Sequence, residues 1–129
     1  MRGLQFFKEQ RYCDILVAFL QKEYPSRLIE YFLQKYTKDN NIAYYYNNRL
    51  FYIHEEYRRM ISIKGKRYFD IFRRDPQQNA INVLFKGKKM VQMLTTEGQL
   101  NLFAWMIRYD VITEFEKHYD KVREAIRKK

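Results

Sequence analysis

The sequence is poor in the residues that build the commonest catalytic and metal-binding sites. Its 129 residues include one cysteine, two histidines and four glycines. Cys13 cannot form an internal disulfide, and with His54 and His118 it leaves too few soft ligands for an ordinary zinc site. No glycine-rich loop is present that could cradle a phosphate. We therefore expect a protein that is not an enzyme and that holds no metal ion or cofactor.

Long apolar runs and linkers are also missing. No uncharged run exceeds ten residues, whereas a membrane-spanning helix needs about 20 apolar residues. Charge appears at Lys8 and Glu9, too early for a signal peptide, so we expect an intracellular protein without a membrane segment. With two prolines and no Gly/Pro/Ser-rich linker, residues 1–129 are predicted to form a single domain. The alternative is a helical subdomain, residues 1–41, followed by a second subdomain, residues 42–129.

Aromatic residues are abundant, with 12 Tyr and 10 Phe in a chain that is 47% hydrophobic. Such a composition can fill a dense core without disulfides, and Cys13 is expected to be buried there. Helical spacing of apolar residues extends over 4–23, with Asp14 as a predicted N-cap and Pro25 as the stop. Ser26 then opens a second helix, which a polar turn over residues 37–41 ends.

Two segments have the pattern of β-hairpins. The runs 42–46 and 49–53 flank Asn47-Asn48, and asparagine tolerates the positive φ that a two-residue turn requires. Apolar residues alternate along 80–94 around Lys-Gly-Lys. Helix, helix, hairpin is also the order of elements in the second half of a winged-helix module, whose hairpin touches DNA.

The segment between the hairpins is less regular. Residues 55–61 are predicted as a short helix and 62–66 as a basic turn. Residues 67–74 fit either a strand or a loop anchored by aromatic side chains, and residues 75–79 read as a loop.

The stretch 95–110 is apolar on two faces at helical spacing, which predicts a buried helix around the sole tryptophan, Trp105. Thr96 and Gln99 fit a capping box at its start, and Thr113 and Glu116 fit a second one. The predicted fold is α+β: amino-terminal helices, two short antiparallel β-hairpins, a buried Trp105 helix and an amphipathic carboxy-terminal helix.

Positive charge is concentrated in one block. Residues 58–90 carry ten basic and two acidic side chains and so hold +8 of the net charge of +10. A one-signed block favours a polyanionic partner such as nucleic acid, or an acidic protein surface. Lysine and arginine there would neutralise phosphates; the predicted nucleic-acid-binding residues are Lys64, Lys66, Arg67, Arg73, Arg74, Lys86, Lys88 and Lys89.

Tyrosines on the first hairpin favour a different kind of contact. Tyr44, Tyr46 and Tyr52 are predicted interface residues, since tyrosine packs its ring while its hydroxyl stays hydrogen-bonded. An aromatic ladder that stabilises the hairpin from within is the alternative.

Two motifs carry a resemblance to known proteins. An Arg-aromatic-Asp-x-Phe element lies within residues 67–74, and Thr-Thr-x-Gly-Gln-Leu-Asn-x-Phe-x-Trp occupies residues 95–105. On these motifs, residues 66–113 resemble a domain of small basic proteins of nucleocytoplasmic large DNA viruses. The chain departs from their pattern at Ile71, where proline is usual, and at Met106, where a small residue is common, and it lacks their long Lys/Arg-rich tail.

The resemblance implies a viral origin, a virion or DNA-associated role and a place in the virion or in the infected-cell cytoplasm or nucleus. It implies no catalytic residue. The predicted function is a non-enzymatic basic protein that binds nucleic acid through the 58–90 block. The alternative is a structural virion component, such as a minor capsid or internal scaffold protein, that forms a homo-oligomer or joins a capsid lattice and meets an acidic protein surface.

Overall fold

The structure is a computed structural model that describes residues 6–7, 9–72, 79–85 and 89–128, with backbone alone in 79–85 and 89–95. In chain order its elements are α1 (Gln10–Leu20), α2 (Ser26–Tyr31), a π-helical segment (Phe32–Tyr36), α3 (Thr37–Asp39), β1 (Ala43–Tyr46), β2 (Arg49–Tyr52), α4 (Ile53–Lys64), a 3-10 turn (Lys66–Phe69), β3 (Asn79–Phe85), β4 (Lys89–Thr95), α5 (Glu97–Arg108) and α6 (Val111–Arg127). Both strand pairs are antiparallel. The predicted α+β class and the two hairpins are confirmed.

The first hairpin turns at Asn47 and Asn48, as predicted. Their φ angles are 49° and 62°, the left-handed values that a two-residue turn of this hand requires. The register pairs Tyr44 with Phe51 and Tyr45 with Leu50. Since neighbouring residues of a strand point to opposite faces, Tyr44 and Phe51 share the face that packs on the core.

Helix α5 lies at the centre of the core. Leu100, Leu102 and Met106 are each at most 1% exposed, so the helix is buried on more than one side. Thr96 is the N-cap, and its hydroxyl accepts a hydrogen bond from the Gln99 N–H at 3.2 Å, as the capping pattern predicts. The predicted buried helix is thus confirmed, and Trp105 itself is half-buried and packs against the core.

The amino-terminal helices differ from the sequence prediction in detail. Asp14 lies inside α1, where its carboxylate accepts from the Gln10 side chain at 2.7 Å, so its predicted role as an N-cap is wrong. Ser26 does open the second helix. Cys13 is buried as expected, and its thiol donates to the Phe7 carbonyl.

The helix that Ser26 opens does not keep one period. The Thr37 N–H donates to the Phe32 carbonyl, five residues back, which defines the π-helical segment. The polar residues that the sequence assigns to a turn begin as helix, in α3, and the chain leaves the helix at Asn40.

Helix α4 is longer than the predicted helix 55–61. It begins directly after β2 because Ile53 and Tyr57, one turn apart, are both buried against the core, and it ends at Gly65, whose φ of 92° favours glycine. The predicted basic turn therefore shrinks to the residues around Gly65. The segment predicted as a strand or an aromatic-anchored loop begins instead as a 3-10 turn in which Phe69 is buried. Residues 73–78, which include most of the predicted loop 75–79, lie outside the described residues.

Helix α6 packs against α2, the π-helical segment and α5. Its N-cap is Asp110, in the left-handed conformation with φ of 62°, and the Thr113 hydroxyl donates to the Asp110 carboxylate. The second predicted capping box is wrong, because the Glu116 carboxylate instead accepts hydrogen bonds from Lys22 and Tyr24. Thr113 and Glu116 fit the spacing by coincidence.

Candidate nucleic-acid interface

Helix α4 separates two grooves. Ile53 and Tyr57 fix one side of the helix to the core. The flanking positions then divide by helical spacing, with Arg58 and Ser62 on one side and Met60 and Lys64 on the other. Each side forms the wall of a different groove.

The first groove, which we call the cationic groove, has a volume of about 410 Å³. Its lining consists of polar and basic side chains with one aromatic and one aliphatic residue: Gln34, Lys38, His54, Tyr57, Arg58, Ile61, Ser62 and Lys66. Three of these residues are permanently cationic and none is a carboxylate. An adjoining depression shares Gln34 and Lys38 and adds Arg27, Lys35 and the carboxylate of Glu30, so cations outnumber carboxylates there as well.

Only some of these cations are available to a partner. Lys66 Nζ lies 3.0 Å from Glu30 Oε2, and its side chain is 35% exposed, so Glu30 neutralises most of its charge locally. Within the described part of the chain, Lys38 and Arg58 form no ion pair, and Arg58 is exposed. The usable charge of the groove therefore comes mainly from these two residues.

Glu30 is held in place by a second contact. The Tyr57 hydroxyl donates to Glu30 Oε1 at 3.4 Å. Burial, followed by the charge of Glu30, raises the pKa of the Tyr57 phenol above its usual range. Tyr57 thus stays protonated and keeps donating to Glu30, which keeps Lys66 at the wall of the cationic groove.

The second groove, which we call the aromatic groove, has a volume of about 380 Å³. It is lined by apolar and aromatic side chains with two cations and one amide: Met60, Ile63, Lys64, Phe69, Asn101, Ala104, Trp105, Arg108 and Tyr109. Lys64 Nζ lies 5.7 Å from the ring centre of Tyr68, and the Arg108 guanidinium lies 5.6 Å from that of Tyr109. This lining again contains no carboxylate.

The 3-10 turn supplies one residue to each groove, Lys66 to the cationic groove and Phe69 to the aromatic groove. The start of α5 holds this turn in place. A Cβ atom on Gly98 would lie 2.9 Å from the Arg67 carbonyl oxygen, so only glycine permits this close approach. The Asn101 side chain donates to the Tyr68 carbonyl at 3.0 Å.

A third contact has the same effect. The Gln99 side-chain amide donates to the Ile71 carbonyl at 2.9 Å. Gly98, Gln99 and Asn101 belong to one of the two sequence motifs, and the backbone that they contact belongs to the other. The two motifs therefore pack against each other, and their contacts position the turn between the grooves.

The structure places the predicted nucleic-acid-binding residues on different surfaces. Lys64 lines the aromatic groove and Lys66 the cationic groove. Arg67 is exposed on the 3-10 turn. Arg73, Arg74, Lys86 and Lys88 lie outside the described residues, and Lys89 is the first residue of β4, where only the backbone is described. The described members of the set are thus not gathered in one patch.

Sequence reasoning missed two residues of the cationic groove. Lys38 lies 20 positions before the basic block, in a segment that reads as a polar turn, and Arg58 stands at the first position of the block. Only the packing of α3 against α4 brings them together, and no local pattern predicts that packing.

The three predicted interface tyrosines also separate. The Tyr46 hydroxyl donates to the Arg108 carbonyl at 3.0 Å and the Tyr44 hydroxyl to the Tyr109 carbonyl. Both therefore make their contacts within the chain, at the end of α5. Tyr52 lies on the outer face of the hairpin with Tyr45 and Leu50, which are 77% and 40% exposed. We call these three residues the outer hairpin face.

Two kinds of feature are absent from the described residues. None of the described helices combines the length and the apolar character that crossing a membrane requires. The same residues include no group of three or more His, Cys, Asp or Glu side chains placed to hold a metal ion.

Comparison with known proteins places the chain in a family. A protein-family model described as "Family of unknown function (DUF7197)" matches residues 2–129. Over 112 residues the chain is 32% identical to Uncharacterized protein L507 of Acanthamoeba polyphaga mimivirus, an alignment that covers 78% of the chain and 40% of that protein. The chain thus spans less than half the length of this relative. No solved structure matches it. The protein therefore belongs to the DUF7197 family and is related to a protein of a giant virus.

Proposed function

We propose that the protein binds nucleic acid through phosphate contacts, without catalysing a reaction, and that it does so for a large DNA virus. The observation that carries the proposal is the pair of cations in the cationic groove, Lys38 and Arg58, which no described carboxylate neutralises. Permanently charged groups of this kind bind phosphates by releasing counterions, and the binding tolerates any base sequence.

The location of these residues adds support. Lys38 lies two residues after Tyr36, the last residue of the π-helical segment. Single-turn π-helical bulges are frequent at functional sites. Ser62 and His54 line the same groove and supply hydrogen-bonding groups of the kind that contact phosphate and sugar. The predicted contribution of the 58–90 block remains part of this proposal, with Arg58 and Lys66 as its described members at the groove.

A salt titration tests the proposal. Affinity for duplex DNA, measured by fluorescence anisotropy, should fall log-linearly with salt, with a slope of about −0.9 for each phosphate contacted. The double variant Lys38→Glu with Arg58→Glu should weaken binding at least about tenfold at low salt and flatten the slope.

The matched control is Lys117→Glu with Lys121→Glu, two exposed residues of α6 that undergo the same charge change. If both double variants lose affinity equally, net charge alone drives binding and the groove is not the site. If the unmodified protein does not bind DNA even at low salt, the proposed function is wrong.

A structural role in the virion is the second candidate, and the outer hairpin face favours it. Tyr45 is 77% exposed, and it adjoins Leu50 and Tyr52 on a strand pair that no other described strand extends. Exposed aromatic and aliphatic groups of this kind are typical of protein interfaces. Sedimentation of the protein and of Tyr45→Ser should then show a defined oligomer that the variant loses. A monomer that is absent from purified virus particles would contradict this candidate.

A further inference from the structure

The aromatic groove is built differently from a site for phosphate alone. Trp105 of α5 and Tyr109, the residue that follows α5, have ring centres 6.2 Å apart, and both line the groove together with Phe69 of the 3-10 turn. Trp105 is half-buried although most of its helix is buried. Part of a large aromatic surface is thus open to solvent inside a concave site.

Another part of the lining is also apolar and open. Ile63 of α4 lines the groove and is 71% exposed, which makes it one of the most exposed large hydrophobic residues in the described part of the chain. Nothing in the described chain covers it. A flat apolar ligand that entered between Ile63 and Trp105 would remove both surfaces from water.

The charged residues of the aromatic groove indicate which kind of ligand it can bind. The lining contains two cations, Lys64 and Arg108, and no carboxylate. A site with aromatic walls and cationic side chains suits a ligand that is both aromatic and anionic, because rings stack on the walls while the cations meet the negative charge. The volume of about 380 Å³ lies in the usual range for sites that bind small ligands.

We propose that the aromatic groove binds a nucleotide unit of single-stranded nucleic acid, with the unpaired base against Trp105 and Tyr109 and its phosphate near Lys64. The inference rests on the proposed function and deepens it, since it names unpaired strands as the preferred ligand. A base in a duplex is stacked on its neighbours and cannot enter, whereas a base in a single strand is free to do so. A free nucleotide has the same chemistry and is the other source of the ligand.

Trp105 is the sole tryptophan of the chain, so its fluorescence reports on the groove directly. Stacking with a base should quench the emission. The probes are an oligothymidylate, the same strand paired with its complement, and thymidine monophosphate. Fluorescence anisotropy of end-labelled strands measures total binding in the same samples, whichever surface is used.

The single strand should quench Trp105, and the duplex should bind without comparable quenching. Ile63→Ser and Lys64→Glu should each weaken the quenching titration several-fold, with Lys121→Glu on α6 as the charge-matched control for Lys64→Glu. Ile63 and Lys64 are exposed, so both variants should fold. If thymidine monophosphate quenches Trp105 at lower concentration than the strand does, the groove binds a free nucleotide. The proposal that its ligand is single-stranded nucleic acid would then be wrong.

The experiment distinguishes a failure of this inference from a failure of the proposed function. Binding of the strand by anisotropy without quenching, and with Lys64→Glu equal to Lys121→Glu, overturns this inference and leaves the proposed function standing. No binding of either strand form at low salt overturns both. Quenching that follows protein concentration in the absence of nucleic acid would identify a second protein molecule as the occupant and overturn the inference.

Discussion

The two grooves beside α4 are similar in size but opposite in chemistry. The cationic groove presents Lys38 and Arg58 among polar groups, and the aromatic groove presents Trp105 and Tyr109 among apolar ones. In the sequence, the α4 residues that line the two grooves are interleaved: Arg58 and Ser62 line the cationic groove, and Met60, Ile63 and Lys64 line the aromatic groove. The helical period of α4 sorts them, because positions three and four apart share a face. Contacts to phosphate and contacts to bases should therefore be separable by mutation.

The largest expected effect comes from substituting Gly98, because the substitution should disturb both grooves at once. In Gly98→Ala, the new methyl group meets the Arg67 carbonyl oxygen at 2.9 Å and the Asp70 amide nitrogen at 3.1 Å, so the 3-10 turn must move. We expect a loss of about 1–3 kcal/mol in the free energy of unfolding, measured with urea, as for other overpacked sites. Binding at both grooves should weaken with it.

The direction of the change in stability distinguishes a steric clash from the usual effect of a Gly→Ala substitution. Alanine stabilises an ordinary helix position relative to glycine by about 1 kcal/mol. Ser62→Ala, on the exposed side of α4, is the control and should leave stability nearly unchanged. A Gly98→Ala protein that is as stable as the unmodified chain would show that the turn does not depend on this close approach.

A smaller loss is expected for Asn101→Ala. Asn101 is 1% exposed, and its side chain donates to the Tyr68 carbonyl. Tyr68 is only half-buried, so we expect a loss of about 0.5–1.5 kcal/mol, the net contribution of one hydrogen bond. Asn101 lines only the aromatic groove, so quenching of Trp105 by single strands should suffer more than duplex binding. Equal losses in the two assays would remove the distinction between the grooves.

Single neutral substitutions should distinguish the two grooves through the salt dependence of binding. Arg58→Gln should reduce the salt slope for duplex binding by about 1, the contribution of one phosphate contact. Lys64→Gln should leave that slope unchanged, because Lys64 lies in the other groove. Slopes that change alike for both variants would mean that a duplex covers α4 as a whole.

The smallest effect concerns alkaline pH. The Tyr57 pKa is raised by burial and by Glu30, so the unfolded chain loses this proton first as the pH passes the ordinary tyrosine value of 10.0. The stability from Tyr57 is complete below that pH and declines above it. Tyr24 contributes in the same way between pH 10.0 and its raised pKa of about 12, which reflects burial and its hydrogen bond to Glu116.

Tyr57→Phe should therefore reduce the loss of unfolding free energy between neutral and alkaline pH, with tyrosinate absorbance as the monitor. The cationic groove contains Tyr57 and the aromatic groove does not. The part of the alkaline loss of stability that Tyr57→Phe removes therefore reports on one side of α4. An unchanged alkaline loss in the variant would contradict the assignment.

Local signals in the sequence predicted the elements whose formation depends on neighbouring residues. The Asn47-Asn48 turn and the Thr96 N-cap are of this kind, and both are confirmed. Apart from the Asp14 N-cap, which lies inside α1, the failures arise where a distant residue decides. Thr113 and Glu116 fit a capping pattern, but Lys22 and Tyr24 contact Glu116 from 94 and 92 positions away in the chain.

The same limit applies to the candidate site. Lys66 looks available in the sequence, yet Glu30, 36 positions earlier, pairs with it. Lys38 reaches the groove through the packing of α3 on α4. Charge count predicted a basic surface in the middle of the chain, but which cations remain unpaired is a property of the tertiary structure alone.

The π-helical segment has a consequence for how this surface tolerates change in length. A regular helix advances about 100° per residue, since it has 3.6 residues per turn, whereas residues 32–36 take one residue more per hydrogen-bonded turn. Because the π-helical turn closes with its extra residue included, deleting a single residue there would restore the regular period and leave Lys38 in roughly its present direction. The cationic groove would then keep both of its unpaired cations although the helix was one residue shorter.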